Sequence, residues 1–240
     1  RSTLFPYTTL FRSRTGLFVI TFLQFVSAAT GIAALVALFN GLKEKTTQNL
    51  GNFWNYLVKS ITRILLPLSI IVAIILAFNG TPTSYDGKDS IVTLQGDSVQ
   101  ISRGPAAGMI AIKQLGTNGG GWFGVNSAHP LENPNYFTNA VETISILLIP
   151  IALVFALGFY INRRKLAKVI FSVMTFLFVI FCSINIYYET KGNPAIDKLG
   201  ISQTTGSMEG KEVRLGAAAT AFWSAGSRSE ERRVGKECRS

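Results

Sequence analysis

Long uncharged stretches separate short polar ones along the whole chain. Thr15 to Leu42 carries no charged residue over 28 positions, whereas a helix needs about 20 apolar residues to cross a bilayer core. A small, hydroxyl-rich patch, Ser27-Ala28-Ala29-Thr30-Gly31, lies in the middle of it. Two readings fit. One is a helix, a non-helical turn at the patch, and the start of another helix. The other is one long membrane helix whose small residues pack against a neighbour. Ile64 to Phe78 is apolar but only 15 residues long. It spans if Arg63 snorkels and the segment with Phe53, Trp54 and Tyr56 extends it. Pro67 predicts a kink near its start, and Asn79-Gly80 predicts its end. In the polar excursion from Thr81 to Pro105, Ile91-Val92-Thr93-Leu94 and Val99-Gln100-Ile101 flank Gln95-Gly96-Asp97-Ser98, the pattern of a small β-hairpin.

Ala106 to Leu115 is apolar but about half a membrane thick, so it can enter a bilayer and cannot cross it. It leads into Gly116-Thr117-Asn118-Gly119-Gly120-Gly121-Trp122-Phe123-Gly124, five glycines in nine residues. Thr143 to Asn162 is a 20-residue uncharged span with Pro150 as a kink. The basic run Arg163-Arg164-Lys165-Leu166-Ala167-Lys168 separates it from a second such span, Val169 to Tyr188. Glu189 to Arg214 is a polar loop, and Leu215 to Ser227 begins a further apolar segment. The pattern predicts an all-α, multi-pass integral membrane protein seated in a lipid bilayer.

Loop charge gives the orientation. Residues 163–168 hold four basic and no acidic residues, and 43–63 hold four basic and one acidic. Residues 79–105 and 189–214 carry as many acidic residues as basic ones or more. The first two belong inside and the last two outside. Alternation then requires 106–115 and the glycine stretch to enter from outside and return there.

Composition agrees with a membrane protein: 48% hydrophobic and 15% charged. The net charge of +10 overstates the basic character. Residues 1–13 and 228–240 have equal length, and one DNA strand can encode the first while its reverse complement encodes the second. Both read as translated sequencing adapter and are set aside. Residues 14–227 keep a net charge of +6. The basic tail that would suggest nucleic acid disappears, and Cys182 is left as a lone cysteine, silent on redox compartment. The chain is expected to be an internal fragment.

A half-membrane helix running into glycines is the pattern of a re-entrant pore loop. Irregular backbone at membrane depth is tolerated where it is buried in protein or lines an aqueous cavity, and loop carbonyls can replace a cation's hydration shell. Gly119, Gly120 and Gly121 let carbonyls turn toward an axis. Thr117 and Asn118 can add oxygens or brace the loop from behind. The carboxyl end of 106–115 would favour a cation. A plain flexible loop is the alternative on these residues. Gly119-x-Gly121-x-x-Gly124 matches a dinucleotide fingerprint in letters only, since no strand precedes it. The only histidine, His129, makes no metal site and reads as a hydrogen-bonded loop residue near the pore mouth. Glu132 and Glu142 could attract cations at that mouth or cap helices. Lys113, three residues before Gly116, would repel a cation if it faced the loop and must point to a partner or to the interface. Nothing resembles a nucleotide site, a phosphorylated aspartate or a hydrolase.

The run Lys113-Gln114-Leu115-Gly116-Thr117-Asn118-Gly119-Gly120-Gly121-Trp122-Phe123, with Asn126-Ser127-Ala128-His129-Pro130-Leu131-Glu132-Asn133-Pro134, closely resembles the A subunit of Kdp-type bacterial potassium-transporting ATPases. Gln24 to Ala33, Leu65-Leu66-Pro67 and Ser207 to Arg214 agree with it, and the resemblance covers residues 16–223. It implies a channel-like subunit of four helix–pore loop–helix repeats around one potassium path in the bacterial inner membrane. Potassium is then the substrate, with no organic cofactor and no catalysis in this subunit. ATP hydrolysis would belong to a partner P-type ATPase subunit, with small accessory membrane subunits completing the complex. The implied divisions are 14–50 (second-repeat pore helix, filter and inner helix), 51–162 (third repeat) and 163–227 (start of the fourth). The implied filters are Ser27, Ala28, Ala29, Thr30 and Gly31 as the second, and Gly116, Thr117, Asn118, Gly119 and Gly120 as the third. Trp122 stands where a phenylalanine-sized aromatic is expected. The rival readings are a stand-alone potassium channel or ion-gradient-driven uptake protein, and a non-transporting membrane scaffold.

Overall fold

The structure is a computed structural model that describes residues 14–43, 49–85, 88–92, 94–123, 125–200, 202–208 and 213–231. Residues 1–13, 44–48, 86–87, 93, 124, 201, 209–212 and 232–240 lie outside the described residues.

Helix α1 runs unbroken over Arg14–Lys43. Of the two readings of this stretch it bears out the single long helix and corrects the turn at Ser27–Gly31: all five residues are helical. Nothing local forces a break. Alanine is the best helix former, and Thr30 Oγ1 donates back to Val26 O at 2.8 Å within the helix. The division of 14–50 into pore helix, filter and inner helix falls with it. Thirty residues at 1.5 Å each give about 45 Å, ample for a bilayer crossing.

Helix α2, Phe53–Phe78, absorbs the aromatic segment into the span as expected. Asn52 caps it, its side chain accepting from Asn55 N–H. A π-helical turn over Ile61–Leu65 precedes Pro67, with Leu66 N–H donating to Ile61 O. Proline has no N–H to give and its ring crowds the carbonyl four residues back, so the wider turn takes up the misfit that the sequence reads as a kink. Strands β1 (Lys88–Val92) and β2 (Ser98–Ser102) pair antiparallel with Val92 opposite Ser98. The hairpin therefore begins three residues earlier than the apolar pattern places it. An Asp89–Arg103 ion pair and a Ser90–Ser98 hydroxyl bond fasten it.

Helix α3 occupies Ala106–Leu115, the half-span predicted, and all of it except Gly108 is buried. Its first N–H groups are satisfied from outside the helix: Ala106 and Ala107 both donate to Pro82 O. Helix α4 covers Tyr136–Tyr160 and α5 covers Arg164–Lys191. The basic run thus lies largely inside a helix, and the turn is only Ile161 to Arg163. Asn162 adopts φ +56 there, and Arg163 N–H reaches back to Gly158 O at 2.9 Å, a Schellman-type stop. A Cβ on Gly158 would run into Ala167, which is why the two helices can approach so closely. Beyond α5, a short helix α6 (Pro194–Asp197) is bracketed by Gln203, whose amide bonds Asn193 N–H, Asn193 O and Asp197. Helix α7 covers Gly216–Glu231, and Asn185 Nδ2 of α5 donates to Ala221 O.

Among the described residues, four helical stretches are long and apolar enough to cross a membrane: Gly16–Lys43, Phe53–Phe78, Tyr136–Tyr160 and Arg164–Asp197. The chain forms two compact units. One holds the residues up to Val36 with Asn52–Glu142, and the other holds Ala37–Gly51 with the residues from Thr143 onward. The hairpin, α3 and the glycine stretch all belong to the first.

Candidate functional site

The glycine stretch begins as the stop of α3. Thr117 N–H donates to Gln114 O and Asn118 N–H to Lys113 O, at 3.2 and 3.1 Å. These two bonds make a Schellman motif, in which the residue past the cap turns left-handed. That residue is usually glycine; here it is Thr117, at φ +50. A β-branched residue in this region is strained. Asn126 and Ser127 at the other end of the loop are left-handed too, at φ +50 and +56. Such strain gathers where a site over-determines its backbone. The last carbonyls of α3 are spent on holding the loop, so less of the helix end faces outward than the half-helix argument supposes.

Gly119 and Gly120 carry φ of +72 and +84, and this is what their lack of a side chain permits. Gly120 O accepts from Asn126 N–H at 3.0 Å, which closes the loop on itself and leaves that carbonyl one further lone pair. Gly116 is needed for space. A Cβ there would lie 2.5 Å from Asn118 Nδ2 and 3.0 Å from both Ala28 Cβ and Ile112 O. Asn118 Nδ2 donates in turn to Gln24 O of α1 at 3.1 Å. The structure therefore brings the two predicted segments together in one unit but in unlike roles. Gly116 to Gly120 form a loop, whereas Ala28 is part of the helical wall beside it. Ala29 and Ala33 are fully buried on the same helix. Ser27 to Gly31 have their carbonyls in a helix ladder and make no second loop, and the count that made the glycine loop third loses its reference point.

Lys113 is fully buried and turned away from the loop's glycines. Its Nζ donates to Glu132 Oε2 at 2.7 Å and to Ser127 Oγ at 2.6 Å. The other carboxylate oxygen of Glu132 accepts from Phe123 N–H at 2.6 Å. Gln114 Nε2 donates to Ser127 Oγ at 2.8 Å and to Glu142 Oε2 at 2.5 Å. Glu132 and Glu142 are both fully buried. This corrects their expected place at an open mouth: they sit under the loop, Glu132 bonding its backbone. The sequence signal for this lay in Lys113, a cation in an apolar half-helix that has to find a counter-charge.

The aromatic end of the loop packs inward. Trp122 is 6% exposed, and its ring lies so close to Gly104 that a Cβ there would come within 2.5 Å of it. Phe123 stacks on the His129 ring with centroids 4.9 Å apart, and His129 Nδ1 accepts from Leu131 N–H at 3.1 Å. Asn135 and Thr138 then form a reciprocal cap that starts α4. Among the described residues no group of three His, Cys, Asp or Glu side chains could hold a metal ion.

Residues 9–231 match the family described as the potassium-transporting ATPase A subunit. A "potassium-transporting ATPase potassium-binding subunit" of Flavobacterium johnsoniae is 62% identical over 206 residues, 86% of this chain and 36% of the relative. Proteins with the same description from Bacteroides thetaiotaomicron and Pseudomonas syringae are 60% and 45% identical, over 88% and 85% of this chain and 37% and 36% of their own lengths. The chain spans a little over a third of the length of these relatives.

Proposed function

The chain belongs to the potassium-transporting ATPase A subunit family, and from that premise we propose that it supplies one potassium-coordinating loop of a channel-like, potassium-binding subunit. The observation that carries the reading is the loop itself: Gly119 and Gly120 in left-handed backbone, at the carboxyl end of a buried ten-residue helix. Carbonyls of Gly116 to Gly120 coordinate potassium, and Thr117 and Asn118 brace them. A single loop surrounds no ion, so the complete path needs further loops from the longer subunit. Ser27 to Gly31 act as helical packing beside this loop.

The subunit hydrolyses nothing. It works in the bacterial inner membrane with a catalytic P-type ATPase subunit and small accessory subunits, and the names of its relatives support that assembly over a stand-alone channel or a gradient-driven uptake protein. The test uses the full-length subunit assembled in its complex. Gly119→Asp or Gly120→Asp places a side chain and a charge at a left-handed position, and is expected to weaken potassium stimulation of ATP hydrolysis by about tenfold or more in concentration while the protein still inserts. Unchanged potassium affinity in both variants would sink the filter assignment and favour a scaffold role for the glycines.

A further inference from the structure

The pair Lys113 and Glu132 has no role in coordinating an ion, yet it is the most deeply buried charge pair among the described residues, with both side chains at 0% exposure. A well-packed hydrophobic pair is often as stable as a buried ion pair, so stability alone does not account for it. The geometry states the use. Glu132 spends one oxygen on Lys113, in the last turn of α3, and the other on Phe123 N–H, on the far arm of the loop. One rigid carboxylate therefore ties the two ends of the glycine stretch together. Between those ends stand Gly116 to Trp122, with no helix or strand to fix their separation.

We propose that Glu132 is a positioning residue for the glycine loop: bridging Lys113 and Phe123 N–H, it fixes the width of the loop and so its choice among cations of different size. The proposal rests on the loop being a potassium filter. Carbonyls that replace a hydration shell select by how closely they can follow the ion, and a site must be held by supporting hydrogen bonds to keep that spacing. Ser127 assists by accepting from both Lys113 and Gln114, which carries the tie from α3 to Glu142 in α4. Asn126 and Ser127 hold left-handed backbone at this point.

The test measures ATP hydrolysis by the purified full-length complex against potassium, rubidium and sodium, reading half-activating concentration apart from maximal rate. Glu132→Gln keeps the shape but turns one oxygen into a donor, so the bridge breaks at one end. Lys113→Met/Glu132→Gln also breaks it, and removes both members of the buried ion pair together. Both are expected to need about ten times more potassium, in the range seen when outer-shell partners of metal ligands are removed. Both should discriminate less against sodium, with maximal rate retained. A double variant that selects cations as the unsubstituted complex does overturns the proposal, whatever Glu132→Gln does, because only the bare charge would then matter. Failure of both to assemble also overturns it, since the pair's role would be in folding. Gly119→Asp, run alongside, separates the two ideas. Altered selectivity there with a normal double variant removes the positioning role and leaves the filter, and no change in any of the three removes the filter as well.

Discussion

Single atoms decide the shape of the loop. Gly116 is surrounded by Asn118 Nδ2, Ala28 Cβ and Ile112 O; the first can move only by giving up its bond to Gln24 O, and the other two are held in helices. Gly116→Ala is expected to destabilise the full-length subunit by about 1–3 kcal/mol, the usual cost of overpacking a filled site, and to break the Asn118–Gln24 bond. Thermal unfolding in detergent checks the first, and a double-mutant cycle checks the second. Ala28→Gly in the same background removes one of the three contacts and should recover part of the loss. Independent effects at the two positions would mean that α1 does not touch the loop. The need for glycine at 116 was not legible in the sequence, because it depends on a helix 88 positions earlier in the chain. The left-handed glycines at 119 and 120 were legible, since runs of glycine in an apolar chain have few other uses.

Most elements could be read directly, and the failures share a cause. Helix α3 is legible to the residue because Pro105 and Gly116 bound it. The hairpin was found but misplaced, because Lys88, Asp89 and Ser90 pair as strand without looking like one. Helix α1 takes the second of the two forms its pattern allows, one unbroken helix packed through small residues. Small and hydroxyl residues read as a break by composition, yet each can sit in a helix when a neighbour packs close, and Ala28 is in that situation. This gives a sharp contrast between two glycines. Gly31 is helical, and a Cβ on it meets nothing within 4 Å. Gly31→Ala is expected to leave potassium affinity and cation selectivity unchanged and to stabilise the subunit by about 0.5–1 kcal/mol through helix propensity. A change in cation selectivity in Gly31→Ala would restore Ser27–Gly31 as a coordinating segment.

At the scale of the molecule, charge and hydropathy set orientation. Loop charge predicts that the turn ending at Arg163 lies inside and the β-hairpin outside. With Cys182 replaced, a cysteine at Leu94, fully exposed in the hairpin, is expected to react with a membrane-impermeant maleimide on intact cells, and a cysteine at Lys165 only after permeabilisation. The reverse pattern would invert the topology and take α3 to the other face. The bond from Asn118 to Gln24 crosses 94 positions of sequence. Closing so long a segment carries an entropic cost that grows with its length. Synthesis from the amino end eases this. Helix α1 is in place before the glycines emerge, so the strained loop sets against a surface that already exists. The order of the helices in the gene is then part of how the loop acquires its shape, and a rearranged chain with α1 last would have to fold the same contacts in reverse.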